Sequence, residues 1–187
     1  AIAKEQVGGW KIETSRLRRK GLNSISFHNR MIIGYIRSLI ITTIALVIGG
    51  TSGMFFFLLL AMLSKSLLEA INYIEHYGLV RERGKPIQTR HSWNSNHCIS
   101  SLYLYNVTRH SDHHRASNLK FWELNACDKS APTLPYGYLG MLYLLLITPF
   151  LFRRIMVKKL IDWDLNYANE QERKLANVLT RKMILLK

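Results

Sequence analysis

The chain has 187 residues, enough for one domain of ordinary size, and carries a formal charge of +14. A balance this basic points to nucleic acid or to an anionic membrane surface, but there is no Cys–His finger spacing and no basic surface interleaved with aromatics, which excludes a nucleic-acid partner. The two cysteines, Cys98 and Cys127, do not make a disulfide framework. A mean hydropathy of -0.00 would suit a soluble chain. That average hides residues 38–64, which hold no charged side chain, and residues 1–30, which hold seven Lys or Arg against two Glu. The pattern is that of a membrane protein.

Residues 1–30 read as a basic cytoplasmic or interfacial segment, with Lys11, Arg16, Arg18, Arg19 and Lys20 ahead of Gly21. Residues 31–75 read as a transmembrane helical hairpin. Two apolar runs flank Gly49-Gly50-Thr51-Ser52-Gly53, and glycine with Thr and Ser is turn chemistry that weakens a helix interior. A hairpin also places Arg30, Arg37, Lys65 and Arg81 on one side, as the positive-inside rule asks. A single long helix over 38–64 is the alternative. Residues 76–135 are polar and hold six of the seven histidines, so they form a cytoplasmic, histidine-rich region too polar to span. His28 lies in the basic lead-in, outside it.

Residues 136–160 start with 17 uncharged positions that include Pro149, then turn basic at Arg153, Arg154, Lys158 and Lys159. The run is short for a bilayer core of about 20 helical residues, which favours an interfacial or re-entrant helix; a true span is the alternative. Residues 161–187 read as a charged helical tail, with Leu175, Leu179, Met183 and Leu186 on one face. The expected fold is therefore mainly α: multi-pass transmembrane helices with a cytoplasmic histidine-rich helical region.

The densest chemistry is Arg109-His110-Ser111-Asp112-His113-His114. On a helix, positions i, i+3 and i+4 share a face, so His110, His113 and His114 can point at one metal. His76, where the second apolar run leaves the bilayer, can join them. Neutral imidazole suits iron, zinc or copper, and the residue types alone do not choose among them. His91 and His97 flank Ser92-Trp93-Asn94-Ser95-Asn96 and are open to ligand, supporting or structural roles. Ligating imidazoles need a partner for the second ring nitrogen. Glu75, Asn94, Asn96 and Asp112 are candidates for that orienting work.

Three phrases, Asn-Tyr-Ile-Glu-His-Tyr-Gly-Leu at 72–79, His-Ser-Trp-Asn-Ser-Asn-His at 91–97 and Arg-His-Ser-Asp-His-His at 109–114, closely resemble the membrane alkane monooxygenases. So does Leu-Pro-Tyr-Gly-Tyr-Leu-Gly-Met at 134–141. The resemblance implies an integral protein of the bacterial inner membrane with a non-haem di-iron site. It implies hydroxylation of the terminal methyl of a medium- or long-chain n-alkane with dioxygen. Electrons would come from rubredoxin, reduced by an NAD(P)H-dependent rubredoxin reductase. It further implies that His76, His110, His113 and His114 are iron ligands and that His91 and His97 are not. No general acid or base is assigned. Phe55, Phe56, Phe57 and Leu60 are candidates for an apolar channel or for lipid contact. Arg81, Arg83, Lys85 and Arg90 are candidates to meet an acidic electron carrier or, alternatively, phospholipid.

The departure from that family is large. Its two earlier histidine boxes, of the His-Glu-x-x-His and His-x-x-x-His-His types, have no counterpart in these residues. The expectation is a C-terminal part of a longer enzyme, inactive by itself. An alkylbenzene methyl monooxygenase of the xylene type is the first alternative. A membrane scaffold with a four-histidine structural metal is the second.

Overall fold

The computed structural model describes residues 2–116, 118–127 and 129–185, with the side chains of residue 2 and residues 178–185 left undescribed. Leu179, Met183 and Leu186 of the expected apolar face therefore lie outside the described side chains or residues. The described residues are mainly helical and contain no strand, only an isolated parallel bridge between Asn94 and Thr133. The chain divides into two compact units, Ala1–Glu69 and Ala70–Lys187.

In the first unit, α1 (Ile2–Arg19) leads through a short loop into α2 (Arg30–His76). Asn29 caps α2. Its buried Oδ1 accepts the Met31 N–H at 2.9 Å, and its Nδ2 donates to the Ser24 carbonyl at 2.7 Å. Glu13 ties α1 to the same point, with its carboxylate accepting the Arg30 N–H at 2.8 Å and pairing with Arg16 at 2.6 Å.

Helix α2 is assigned as one 47-residue element, and among the described residues it is the one helix long and apolar enough to cross a membrane. It is not straight. Gly50 has φ 62 and ψ -161, a conformation that needs glycine and breaks the helical ladder. A Cβ on Gly53 would sit 2.8 Å from the carbonyl oxygen of Ala45. In a straight helix those residues are two turns apart, about 12 Å along the axis. The flanks make the same point. Tyr35 Oη donates to Gln6 at 2.9 Å, and Lys65 Nζ reaches Glu5 at 2.9 Å. Thirty helical residues span about 45 Å, so both flanks reach adjacent residues of α1 only because the chain reverses at Gly50. The two limbs are covered with exposed apolar side chains, Ile40, Ile44, Val47, Phe55, Phe56 and Leu60 among them. Such a surface is stable against lipid or a further protein layer, not against water.

The second unit begins with the last residues of α2. It continues through a three-residue 3-10 turn (Thr89–His91), then α3 (Cys98–Tyr103), α4 (His110–Arg115), α5 (Tyr138–Ile147), α6 (Pro149–Asn166) and α7 (Glu170–Leu185). Ile74, Trp93, Leu134, Tyr138, Met141, Phe152, Met156, Trp163 and Ala168 form its buried core. Phe152, Met156 and Trp163 recur on one face of α6, which is why that helix docks despite its basic flank.

Two sequence expectations change. The segment 136–160 is not one helix. The ladder stops at Thr148, and Pro149 opens α6 at a position where its missing N–H costs nothing. The resulting α5 has 10 residues, about 15 Å, too short to span a bilayer core. Nor is 161–187 a tail that starts at 161: α6 runs through that boundary, and Trp163, Ala168 and Glu172 are buried.

Candidate metal centre

His76 is the last residue of α2. The helix stops there because Gly78 takes φ +71, and a Cβ at that position would meet the Leu160 side chain at 2.6 Å. His110 and His114 lie on α4, one turn apart. The His76 Nε2 stands 3.3 Å from His110 Nε2 and 3.2 Å from His114 Nε2, and all three ligand atoms lie within 4.8 Å of one another. Two nitrogens bound to one ion at about 2.1 Å stand about 3.0 Å apart at a right angle and about 3.4 Å apart at the tetrahedral angle. Both separations from His76 fall between those limits, and with all three ligand atoms within 4.8 Å of one another the rings form a candidate site for a single metal ion.

For His76 the second ring nitrogen explains why Nε2 faces inward. His76 Nδ1 donates to the His91 carbonyl at 3.2 Å, and a carbonyl can only accept, so the Nε2 lone pair is left for the metal. His110 Nδ1 lies 3.3 Å from the Glu75 carboxylate, close in distance but not aligned as a hydrogen bond. Glu75 is itself 2% exposed, held beneath the site beside the buried Tyr138. Burial, then the neighbouring His114, His76 and His113, push His110 down to about 3. Burial, then His76, His113 and Arg81, push His114 down to about 4. Both rings are therefore neutral near pH 7, the state in which imidazole binds metal.

His113 is placed differently. On α4 it lies about 60° to one side of His110, while His114 lies about 40° to the other. The His76 ring occupies the His110–His114 side. His113 is exposed, with its ring centroid 5.9 Å from His110 and 6.0 Å from His114. The structure thus gathers three of the four expected ligands around one point and leaves the fourth on the flank.

The supporting residues divide in the same way. His91 is buried with both ring nitrogens engaged: Nδ1 accepts the Gln88 N–H at 3.0 Å, and Nε2 donates to Glu172 at 2.7 Å. It serves the cluster through its backbone carbonyl. Asn94 is fully buried, and its Oδ1 accepts the Ser111 N–H at 3.1 Å, in the first turn of α4. Asp112 faces away from the rings, accepting the Asn125 N–H at 2.8 Å and pairing with Arg115 at 2.7 Å, so it anchors α4 to the following loop. Asn96 is exposed with a long contact to the Ala126 carbonyl, and His97 is exposed at the start of α3; neither joins the cluster. Arg90, a candidate contact for an electron carrier, is paired with Glu172 at 3.0 Å.

Several residues inside the motif phrases act by positioning the backbone, a role their residue types do not reveal. The stretch 92–95 is stitched to three segments. Trp93 N–H donates to the Glu75 carbonyl at 2.8 Å, Asn94 N–H to the Pro132 carbonyl at 2.8 Å, and Ser95 N–H to the Thr108 carbonyl at 2.9 Å. The Ser111 hydroxyl donates to the Ser92 carbonyl at 2.9 Å. The end of α2 and the start of α4 are thereby fixed to one extended strip, which sets the distance between His76 and His110. Tyr138 closes the strip from below, with its hydroxyl donating to the Trp93 carbonyl at 3.2 Å and its own N–H to Ser100 Oγ at 3.0 Å.

The fatty acid desaturase family model matches residues 3–145, more than half of the chain. The chain belongs to the fatty acid desaturase family. Among curated proteins, this desaturase-family chain is similar to alkane 1-monooxygenase 1 of Pseudomonas aeruginosa, at 40% identity over 175 residues, covering 88% of this chain and 43% of that protein. It is similar to alkane 1-monooxygenase 2 of the same organism, at 39% identity over 171 residues (88% and 44%). It is also similar to the xylene/toluene monooxygenase hydroxylase component XylM of Pseudomonas putida, at 34% identity over 172 residues (92% and 46%). The chain spans less than half the length of each of these relatives.

Proposed function

We propose that this chain carries part of the iron centre of a membrane-bound monooxygenase that hydroxylates the terminal methyl of n-alkanes to 1-alkanols with dioxygen. The observation that carries the reading is the convergence of the Nε2 atoms of His76, His110 and His114 on one point. The similarity to alkane 1-monooxygenases supplies the reaction class. His76, His110 and His114 would hold one iron, and His113, on the flank of the same helix, is available to a second iron whose remaining ligands come from outside this chain. When bound, the metal supplies dioxygen activation and the oxidation of an unactivated C–H bond.

The protein's own residues hold the rings. The His91 carbonyl fixes the Nδ1 proton of His76, and the buried Glu75 side chain lies 3.3 Å from Nδ1 of His110. Burial keeps His110 and His114 in the neutral imidazole form. We take α2 to be a transmembrane hairpin with its turn at Gly50 on the far side and the histidine region in the cytoplasm of the inner membrane. An alkane partitions into lipid, and a centre that begins at the last residue of a membrane helix receives it without a path through water. Rubredoxin, reduced by its NAD(P)H-dependent reductase, is the proposed electron donor, with Arg81, Arg83 and Lys85 as candidate contacts.

Similarity to the xylene/toluene component favours a second substrate class, the methyl group of an alkylbenzene. One assay separates the two: the full-length protein with reductase and rubredoxin is offered octane, hexadecane and xylene. 1-Alkanols support the alkane reading, and benzyl alcohols alone overturn it. Metal analysis tests the centre itself. Iron lost on His114→Ala supports it, while one tight zinc per chain that survives that change favours a structural site.

A further inference from the structure

We infer that Glu172, on the C-terminal helix, is a positioning residue for the metal ligand His76, acting through His91; this rests on the reading of His76, His110 and His114 as metal ligands. Glu172 is 1% exposed and lies 81 residues from His91 in sequence. Its carboxylate is saturated. Oε1 accepts from His91 Nε2 at 2.7 Å and Arg90 Nη2 at 3.2 Å, and Oε2 accepts from Arg90 Nε at 3.0 Å and the Asn169 N–H at 2.9 Å. Burial raises its pKa, but Arg90, the Asn169 N–H and His91 outweigh that and hold it below the ordinary range, so the carboxylate is charged.

The turn Thr89–His91 has only three residues and little stability of its own. It is held from outside at consecutive residues. Trp163 Nε1 donates to the Arg90 carbonyl at 2.8 Å, and Glu172 clamps the Arg90 and His91 side chains. With Gln88 N–H on its Nδ1 and Glu172 on its Nε2, the His91 ring cannot rotate. The backbone carbonyl of His91 is thus fixed, and that carbonyl sets the tilt and tautomer of His76. Groups bonded directly to a ligating imidazole change metal affinity about 10–100-fold when removed, which is an upper bound for Glu172 acting one contact further out. The C-terminal helix is therefore part of the metal centre, although it contributes no ligand.

Glu172 also completes a reciprocal cap of α7, since the Glu172 N–H donates to Asn169 Oδ1 at 2.8 Å. A purely structural role must be separated from positioning. The test uses the full-length protein loaded with cobalt(II), reading affinity by chelator competition and ligand field by visible absorption. Four variants are compared with wild type: Glu172→Ala, Glu172→Gln, Asn169→Ala and Glu170→Gln. Asn169→Ala removes the cap but leaves the His91 contact, and Glu170 is exposed. Glu172→Gln keeps the shape but turns an amide N–H toward a donor.

The expected result is weaker cobalt binding for Glu172→Ala, by up to about 10-fold, with shifted visible bands. A smaller loss with the same band shift is expected for Glu172→Gln. Asn169→Ala and Glu170→Gln should keep the wild-type affinity and spectrum, even though Asn169→Ala melts earlier. Glu172→Gln folding and binding cobalt with wild-type affinity and spectrum overturns the inference, and this variant decides if Glu172→Ala does not fold. Cobalt binding that is absent in wild type, or unchanged by His114→Ala, overturns the metal reading itself and is distinguishable from that outcome.

Discussion

Metal affinity of the histidine cluster should depend little on acid. An ordinary imidazole with a pKa of about 6.5 loses about 25-fold of its available free base between pH 7 and pH 5, so two such ligands together weaken metal binding about 600-fold. His110 and His114 are pushed down to about 3 and about 4. With those values both rings remain almost wholly unprotonated at pH 5, and their combined loss is a factor of about 1.1. A third ring behaving as an ordinary histidine adds at most a further factor of about 25. The measurement is cobalt(II) affinity by chelator competition at pH 7 and pH 5, with circular dichroism confirming that the fold is intact at both. A fall of less than about 30-fold is expected from these factors. A fall of about 600-fold or more would refute the reasoning, because it would mean that burial does not protect the pair.

The same shifts predict acid sensitivity of the metal-free fold. The unfolded chain takes up protons on these histidines below about pH 6.5 while the native rings do not, so native stability falls as pH drops from about 6.5 toward 4. For His110, 7% exposed, the loss by pH 4 is about 3 kcal/mol, measured as a lower denaturant midpoint at pH 4.5 than at pH 7. A flat stability profile over that range would count against the assignment. Trp93→Ala should cost about 3–5 kcal/mol, since the ring is fully buried and its Nε1–H is bonded to the Tyr77 carbonyl at 2.9 Å; chemical denaturation reads it. Gly50→Ala should cost about 1–3 kcal/mol, because an L side chain is strained at φ 62; a melting temperature equal to wild type would contradict the turn.

The residues differ in how openly their roles can be read from sequence. The reversal at 49–53 is legible because three glycines with Thr and Ser, set between two charge-free runs, favour a turn over a continuous helix. His76, His110 and His114 are legible because helical spacing and motif agree. The offset of His113 is not, since i+3 and i+4 both satisfy a same-face rule, and only the position of the His76 ring decides between them. The pinning of His91 is equally hidden. Its partner Glu172 sits in a segment that reads as a charged helical tail, and no periodicity links residues 81 positions apart. The Asn169-x-x-Glu172 cap marks a helix start in the sequence, but the same carboxylate's contact with Arg90 and His91 is purely tertiary. Thr148-Pro149 is a readable breaker, yet the apolar run continues unbroken across it, so hydropathy alone merges α5 with the start of α6.

Glu5 and Gln6 are neighbours, but they grip opposite limbs of the reversed helix, Lys65 and Tyr35. A clasp of that form has an order of assembly written into it. The Tyr35 half can engage once the first limb is made. The Lys65 half must wait until the chain has turned at Gly50 and come back. Helix α1 therefore emerges before both limbs during synthesis but gains its last tie only after them, and Glu5 meets Lys65 only if the reversal has been completed.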